Sequence, residues 1–226
     1  MRRPALLAGA AIVLLAAGAF AVARFRPGEE TVLSAYGQVR LDGLNAQLAQ
    51  VRAPYRLLLG DSQAERLYLP ELCGAPVVNA GISGARAAAV LRVAEALVLP
   101  VAPEAIVVMV GTNDVQRRRG PADPAHRASF RTEMRALLAG SAGRAPAVYA
   151  TPLPPLDPAR ASGFETGEVA TYSAMVAEEC ARAGCRPADV FPANAARSPD
   201  GVHVGTADLL GPNGVRARLA RAVCRP

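Results

Sequence analysis

From residue 55 to residue 191 the chain alternates between short apolar runs and longer stretches of mixed character. The runs are Tyr55–Leu59, Pro76–Asn79, Ala105–Val110, Ala147–Ala150 and Pro187–Phe191. Each is too short for a helix and rich in Val, Leu or Ile, which predicts strands. Between them, apolar spacing predicts helices over about 62–70, 84–98, 124–139 and 166–183, with a last one near 206–223. Upstream, Leu41, Leu44, Leu48 and Val51 recur at helical spacing within 31–52, although Gly37 and Gly43 weaken that segment. Residues 151–161, TPLPPLDPARA, read as a Pro-rich loop.

Strands alternating with helices predict a parallel sheet covered on both faces, and the continuous run AIVVMV fits a strand buried on both sides. Right-handed crossovers then give an open, doubly wound α/β/α sandwich with roughly five strands. In such a sheet, ligands bind beyond the carboxyl ends of the strands. Unusual polar residues should therefore cluster just after the apolar runs.

The first 30 residues follow a different pattern. Met1-Arg2-Arg3 is a positive leader, and Pro4 to Ala23 carries no charge. Ala21-Val22-Ala23 fits a small-residue cleavage site, and the run is also just long enough to span a bilayer. A cleaved signal peptide and an uncleaved signal anchor over residues 1–23 both fit. Either way, the positive end stays inside and the rest is exported. Residues 24–30 read as a linker, and residues 31–226 as one domain. That domain lies in the periplasm, outside the cell, or on the outer side of the inner membrane.

Composition narrows the function classes. The chain has 226 residues, of which 51% are hydrophobic, enough for one ordinary domain with a large core. Every basic residue is Arg, as in proteins of GC-rich bacterial genomes, so the net charge of +6 says little about partners. The basic residues are scattered with no aromatic-interleaved patch, which argues against nucleic acid. A P-loop is impossible without Lys, and Gly81-Ile-Ser-Gly84 is too short for a dinucleotide fingerprint. No cofactor is expected. A metal site is not expected either, because there is no CxxC and only two His. Cys73, Cys180, Cys185 and Cys224 form an even set in an exported chain, so two disulfides are expected, with three connectivities possible.

Four polar fragments follow the predicted strands or precede the last helix: Gly60-Asp61-Ser62, Asn79-Ala80-Gly81, Gly111-Thr112-Asn113-Asp114, and Ser198-Pro199-Asp200-Gly201-Val202-His203. Each alone has a bland reading as a helix cap or turn. Together they supply what acyl transfer needs. Ser62 sits where a strand turns into a helix, which exposes its hydroxyl beside free helical N–H groups. His203 can take the serine proton, and Asp200, three residues earlier, can hold the far ring nitrogen. Ser62 and Gly81 can offer backbone N–H groups, and Asn113 its side-chain amide, to an oxyanion.

The set GDS, NAG, GTND and DGVH, in that order, resembles the SGNH (GDSL-type) hydrolase family over nearly all of the chain after the linker. The resemblance implies a flavodoxin-like sandwich and serine ester hydrolysis without a metal. It makes Ser62 the nucleophile, Gly81 and Asn113 oxyanion donors, and Asp200 with His203 the rest of the triad. Gln63 departs from the pattern, standing where the family name has Leu, and argues against a greasy pocket at that spot. Asp61 and Asp114 are expected to brace their loops. His126 reads as a surface or capping residue without a second polar partner. Arg117-Arg118-Arg119 read either as a solvated loop or as an attractor for an anionic substrate.

The expected fold also suggests a disulfide pairing. The helix over 62–70 and the last helix should share a face, so Cys73 pairs with Cys224 at the edge opposite the site, and Cys180 pairs locally with Cys185. Short-acyl esters or carbohydrate O-acetyl esters are the favoured substrates, with lysophospholipids as a further class, and an uncleaved leader would anchor the chain to the membrane through residues 4–23. Two other readings stand beside the esterase: a non-catalytic envelope or polysaccharide-binding protein, and an acyltransferase using the same triad.

Overall fold

The computed structural model describes residues 33–52, 54–192 and 199–224. The predicted signal or anchor, the linker and Ser198 lie outside the described residues. Helix α1, Ala35–Leu48, starts at Ser34, whose hydroxyl accepts the Gly37 N–H at 3.0 Å. It buries Leu41, Leu44 and Leu48, the residues its spacing singles out. After it come β1 (Arg56–Gly60), α2 (Ser62–Arg66), β2 (Glu71–Leu72), β3 (Ala75–Gly81), α3 (Ala87–Ala96) and β4 (Ala105–Met109). The second half holds α4 (Pro124–Ala142), β5 (Val148–Ala150), α5 (Val169–Arg182), β6 (Arg186–Pro187), α6 (Thr206–Leu210) and α7 (Val215–Val223). Among the described residues, no helix is long and apolar enough to cross a membrane.

The sheet has six strands in the order β2-β3-β1-β4-β5-β6. Five of them run parallel, and their order is that of a flavodoxin-like doubly wound sheet. The sixth, β2, is an antiparallel edge of two residues, too short to leave an alternation in the sequence. Leu57 and Leu59 of β1 join the core under α1, α3, α4 and α5, whereas Leu58 joins the core under α2, α6 and α7. A continuous apolar strand is therefore needed, because both of its faces are covered.

Three boundaries differ from the sequence reading. The helix expected over 62–70 ends at Arg66, because Pro70 disfavours a helical Leu69. Leu67 and Leu69 instead alternate into the core as extended chain. The last helix breaks in two around Gly211-Pro212-Asn213-Gly214. A Cβ at Gly214 would come within 2.4 Å of the Asp208 carbonyl oxygen. The run Pro187–Phe191 contributes only its first residue to β6, and Ala188, Val190 and Phe191 are buried beyond the ladder.

Both expected disulfides are present: Cys73–Cys224, with Cα atoms 5.3 Å apart, and Cys180–Cys185, at 4.9 Å. Cys73 and Gly74 form the two-residue turn between β2 and β3, with φ of 53° and 74°. That is the pattern of a type I′ hairpin. The turn leads into the start of β3, so the first disulfide lies at the end of the sheet away from the carboxyl rim. Packing of Leu67 and Leu72 in the same cluster as Leu219 and Val223 puts the two cysteine-bearing segments on one face, as expected.

Candidate active site

Sheet register assembles the site. Gly60, the last residue of β1, lies opposite Gly81 on one side and Met109 on the other. The fragments GDS, NAGISG and GTND therefore leave the sheet side by side. At Gly60 the chain must turn between its neighbours, and an added Cβ would lie 2.2 Å from the Met109 carbonyl oxygen. Only glycine fits there.

Asp61 caps α2. Its Oδ1 accepts the Gln63 N–H at 2.9 Å, and its Oδ2 accepts the Thr112 N–H at 3.2 Å. One carboxylate thus ties the first helix of the site to the GTND turn. Burial pushes its pKa up to about 6, opposed by those hydrogen bonds. Asp114 braces in the same way. Its carboxylate accepts the Ala87 N–H at the start of α3, and burial raises its pKa to about 8. His126 does have a polar partner: its Nε2 lies 3.0 Å from the Asp114 carbonyl oxygen, so it supports the same turn from α4.

Ser62 is the first residue of α2, and its hydroxyl lies 2.8 Å from Nε2 of His203. On the other side of the ring, Nδ1 lies 2.6 Å from Oδ2 of Asp200. With the carboxylate accepting the Nδ1 proton, Nε2 is left as an acceptor for the serine O–H. Asp200 also folds its own loop: Oδ1 accepts the Val202 N–H at 2.9 Å and the His203 N–H at 3.0 Å. Gly201 between them takes φ of 70°, and a Cβ added there would lie 2.6 Å from Arg160 Cβ and 2.9 Å from the Ala161 nitrogen. These residues are far apart in sequence and meet at one point.

Gly81 departs from expectation. Its N–H donates to Asn79 Oδ1 at 2.9 Å and is not available to an oxyanion. Glycine is needed there for packing, since a Cβ would lie 2.3 Å from the Glu65 backbone nitrogen. Three residues on, Gly84 takes φ of 80° in an open position, and among the described residues no group accepts its N–H. The flanking N–H groups are occupied: Ile82 donates to Gly60, Ser83 to Glu65, and Ala85 to Ile82. Asn113 Nδ2 reaches the Ala85 carbonyl at 2.9 Å, which sets its amide beside this turn with one amide hydrogen to spare. The second glycine of Gly81-Ile-Ser-Gly84 was the available signal, because a turn needing positive φ selects Gly.

Gln63 also corrects the sequence reading. Its side chain is turned inward: it is 2% exposed, and its Nε2 donates to the Val202 carbonyl at 3.0 Å. Its polarity therefore says nothing about the acyl group. The arginine run is engaged as well. Arg117 Nε donates to the Phe164 carbonyl and Arg118 Nε to Gln116 Oε1, each at 3.0 Å. The Pro-rich loop spans both halves of the site. Just beyond its far end Phe164 pairs with Gln116, and its middle holds the Gly201 carbonyl through the Asp157 N–H at 2.8 Å. Among the described residues, no cluster of potential metal ligands occurs.

Comparison with known proteins fits this arrangement. No curated protein sequence matches the chain. Solved structures do. One from Streptococcus pneumonia, described by reference to platelet activating factor, superposes with a TM-score of 0.68 at 16% identity, covering 93% of this chain and 98% of that one. A carbohydrate acetylesterase family member from Sinorhizobium meliloti gives 0.58 at 18%, covering 76% and 97%. An acetylxylan esterase from Geobacillus stearothermophilus gives 0.53 at 19%, covering 75% and 92%. At such identities these structures share the fold. The sequence profile of the GDSL-like lipase/acylhydrolase family matches residues 42–209, from within α1 to within α6. With three quarters of its length inside that match, the chain belongs to the GDSL-like lipase/acylhydrolase family, whose members are ester hydrolases.

Proposed function

We propose that the protein is an exported serine esterase in which Ser62, His203 and Asp200 form the catalytic triad. The observation that carries this reading is the hydrogen-bonded line from Asp200 through His203 to the Ser62 hydroxyl. Ser62 Oγ attacks the ester carbonyl while His203 Nε2 takes its proton. The Ser62 and Gly84 N–H groups and the Asn113 amide receive the oxyanion, donors positioned where negative charge develops. His203 then returns the proton to the leaving alcohol, and an acyl-enzyme remains. Water, deprotonated by the same ring, releases the acid and restores Ser62. No step needs a metal or cofactor.

Residues 1–23 act as a signal peptide or anchor, 24–30 as a linker and 31–226 as the catalytic domain. Two disulfides support an oxidising destination. Short-acyl and carbohydrate O-acetyl esters are the proposed substrates. The supporting observation is the shared fold with a carbohydrate acetylesterase family member and an acetylxylan esterase.

Turnover of p-nitrophenyl acetate, butyrate and octanoate, compared with release of acetate from an acetylated glycan, tests the reading. Wild type is expected to hydrolyse acetate fastest, and Ser62→Ala to lose more than about a thousandfold of that rate. Absence of turnover on every ester would leave the non-catalytic binder as the better account. Transfer of the acyl group to an added sugar in preference to water would favour the acyltransferase.

A further inference from the structure

The peptide joining Val202 to His203 is gripped at both polar atoms. Its N–H, that of His203, donates to Asp200 Oδ1 at 3.0 Å. Its carbonyl, that of Val202, accepts the Gln63 side-chain amide at 3.0 Å. Gln63 follows the candidate nucleophile directly and is shut away from water at 2% exposure. Its own N–H is fixed on Asp61 Oδ1 at 2.9 Å, so the residue has little freedom.

Fixing both ends of a peptide plane fixes the rotation of the chain entering His203, and so the direction in which the ring leaves it. The side chains on either side of this peptide are more open to solvent. The Asp200 side chain is half exposed, at 50%, and the imidazole is 23% exposed. A second restraint acts one peptide earlier, where the Asp157 N–H donates to the Gly201 carbonyl at 2.8 Å. That bond holds the loop to the Pro-rich segment. Among the described residues, only the Gln63 bond ties the loop to the helix that carries Ser62 through a backbone atom, making the spacing between base and nucleophile a property of one short unit.

We propose that Gln63 is a positioning residue that sets the Ser62–His203 distance by anchoring the Val202 carbonyl to the nucleophile's helix. The proposal rests on the triad reading above. A leucine in this place fills similar space but donates nothing. The Val202 carbonyl would then stay unpaired in a buried setting, or the peptide would rotate toward water. Rotation would carry the imidazole with it, and small misplacements of a base cost up to about a hundredfold in rate.

The test uses Gln63→Leu and Gln63→Met in the full chain, two changes that conserve volume while removing the donor. Expected are a fall in kcat of about 10- to 100-fold on p-nitrophenyl acetate with KM within about twofold, and slower fluorophosphonate labelling of Ser62. Amide exchange in the peptide containing residues 201–204 should quicken, while exchange in β1 and β4 stays unchanged. Wild-type kcat in both variants, or unchanged exchange at 201–204, overturns the proposal. A wild-type protein that neither turns over nor labels overturns the esterase reading instead, and the exchange comparison then still decides whether Gln63 holds the loop.

Discussion

Gln116 Nε2 donates to Asn113 Oδ1 at 3.0 Å. That bond decides which way the Asn113 amide faces. With Oδ1 occupied by a donor, the NH2 group is directed to the Ala85 carbonyl and the turn at Gly84. Arg118 holds Gln116 in turn through Oε1. The orientation of the proposed oxyanion amide is thus set by a chain of polar contacts that leads outward to the arginine run. Removing the Gln116 donor by Gln116→Leu lets the amide flip. Steady-state kinetics should show kcat reduced about tenfold with little change in KM, since the lost contact acts on charge that develops only in the transition state.

The two glycines of Gly81-Ile-Ser-Gly84 have different tasks, and alanine separates them. Gly81→Ala places a Cβ 2.3 Å from the Glu65 backbone nitrogen, so α2 must move. A thermal melt should show a large loss of stability, of about 2 kcal/mol or more, with activity falling in step. Gly84→Ala meets no neighbouring atom but must keep φ near 80°. Stability should fall by only about 1 kcal/mol while kcat drops more steeply as the turn shifts its N–H. Equal and selective loss of kcat in both variants would restore Gly81 as a donor.

Asp114 makes stability depend on pH. Its folded pKa is raised by burial to about 8, well above the usual carboxylate value, so the folded state holds a proton that the unfolded state releases. The sign follows from linkage. The contribution is fully present below about pH 4 and is lost as pH rises toward about 8. Urea unfolding of wild type against Asp114→Asn should show wild type losing a few kcal/mol relative to the variant between pH 5 and pH 8. Parallel curves would mean that Asp114 is ionised throughout.

The Cys73–Cys224 disulfide closes a loop of 151 residues at the end of the sheet away from Ser62. Replacing both cysteines with serine should lower stability by about 2–5 kcal/mol in denaturant while leaving kcat and KM at 20 °C unchanged. The separation between stability and catalysis is the expected signature of a cross-link remote from the chemistry.

The parallel strands were legible because burial on both faces leaves continuous apolar runs such as Leu57-Leu58-Leu59; their order carries no such signal and comes from the sheet itself. Ser62, Asp200 and His203 could be singled out because acyl transfer calls for those side-chain types, and the structure brings the three within hydrogen-bond distance. What escaped depends on backbone direction. Nothing in the residue types says that the Gly81 N–H turns to Asn79 while that of Gly84 stays open. Gln63 was misread for a related reason, since its target is a main-chain carbonyl 139 residues away that carries no sequence signal. The two-residue β2 is too short for periodicity, and the break at Pro212 within the last helix was written in the sequence but outweighed by the apolar spacing on either side.

Catalysis by this triad requires one unusually reactive hydroxyl, that of Ser62. Full-length protein treated with a fluorophosphonate probe and digested for mass spectrometry should carry a single adduct, on Ser62, and His203→Ala should slow its formation by at least about a hundredfold. An unmodified Ser62, or labelling of Ser62 at the same rate without the imidazole, would contradict it.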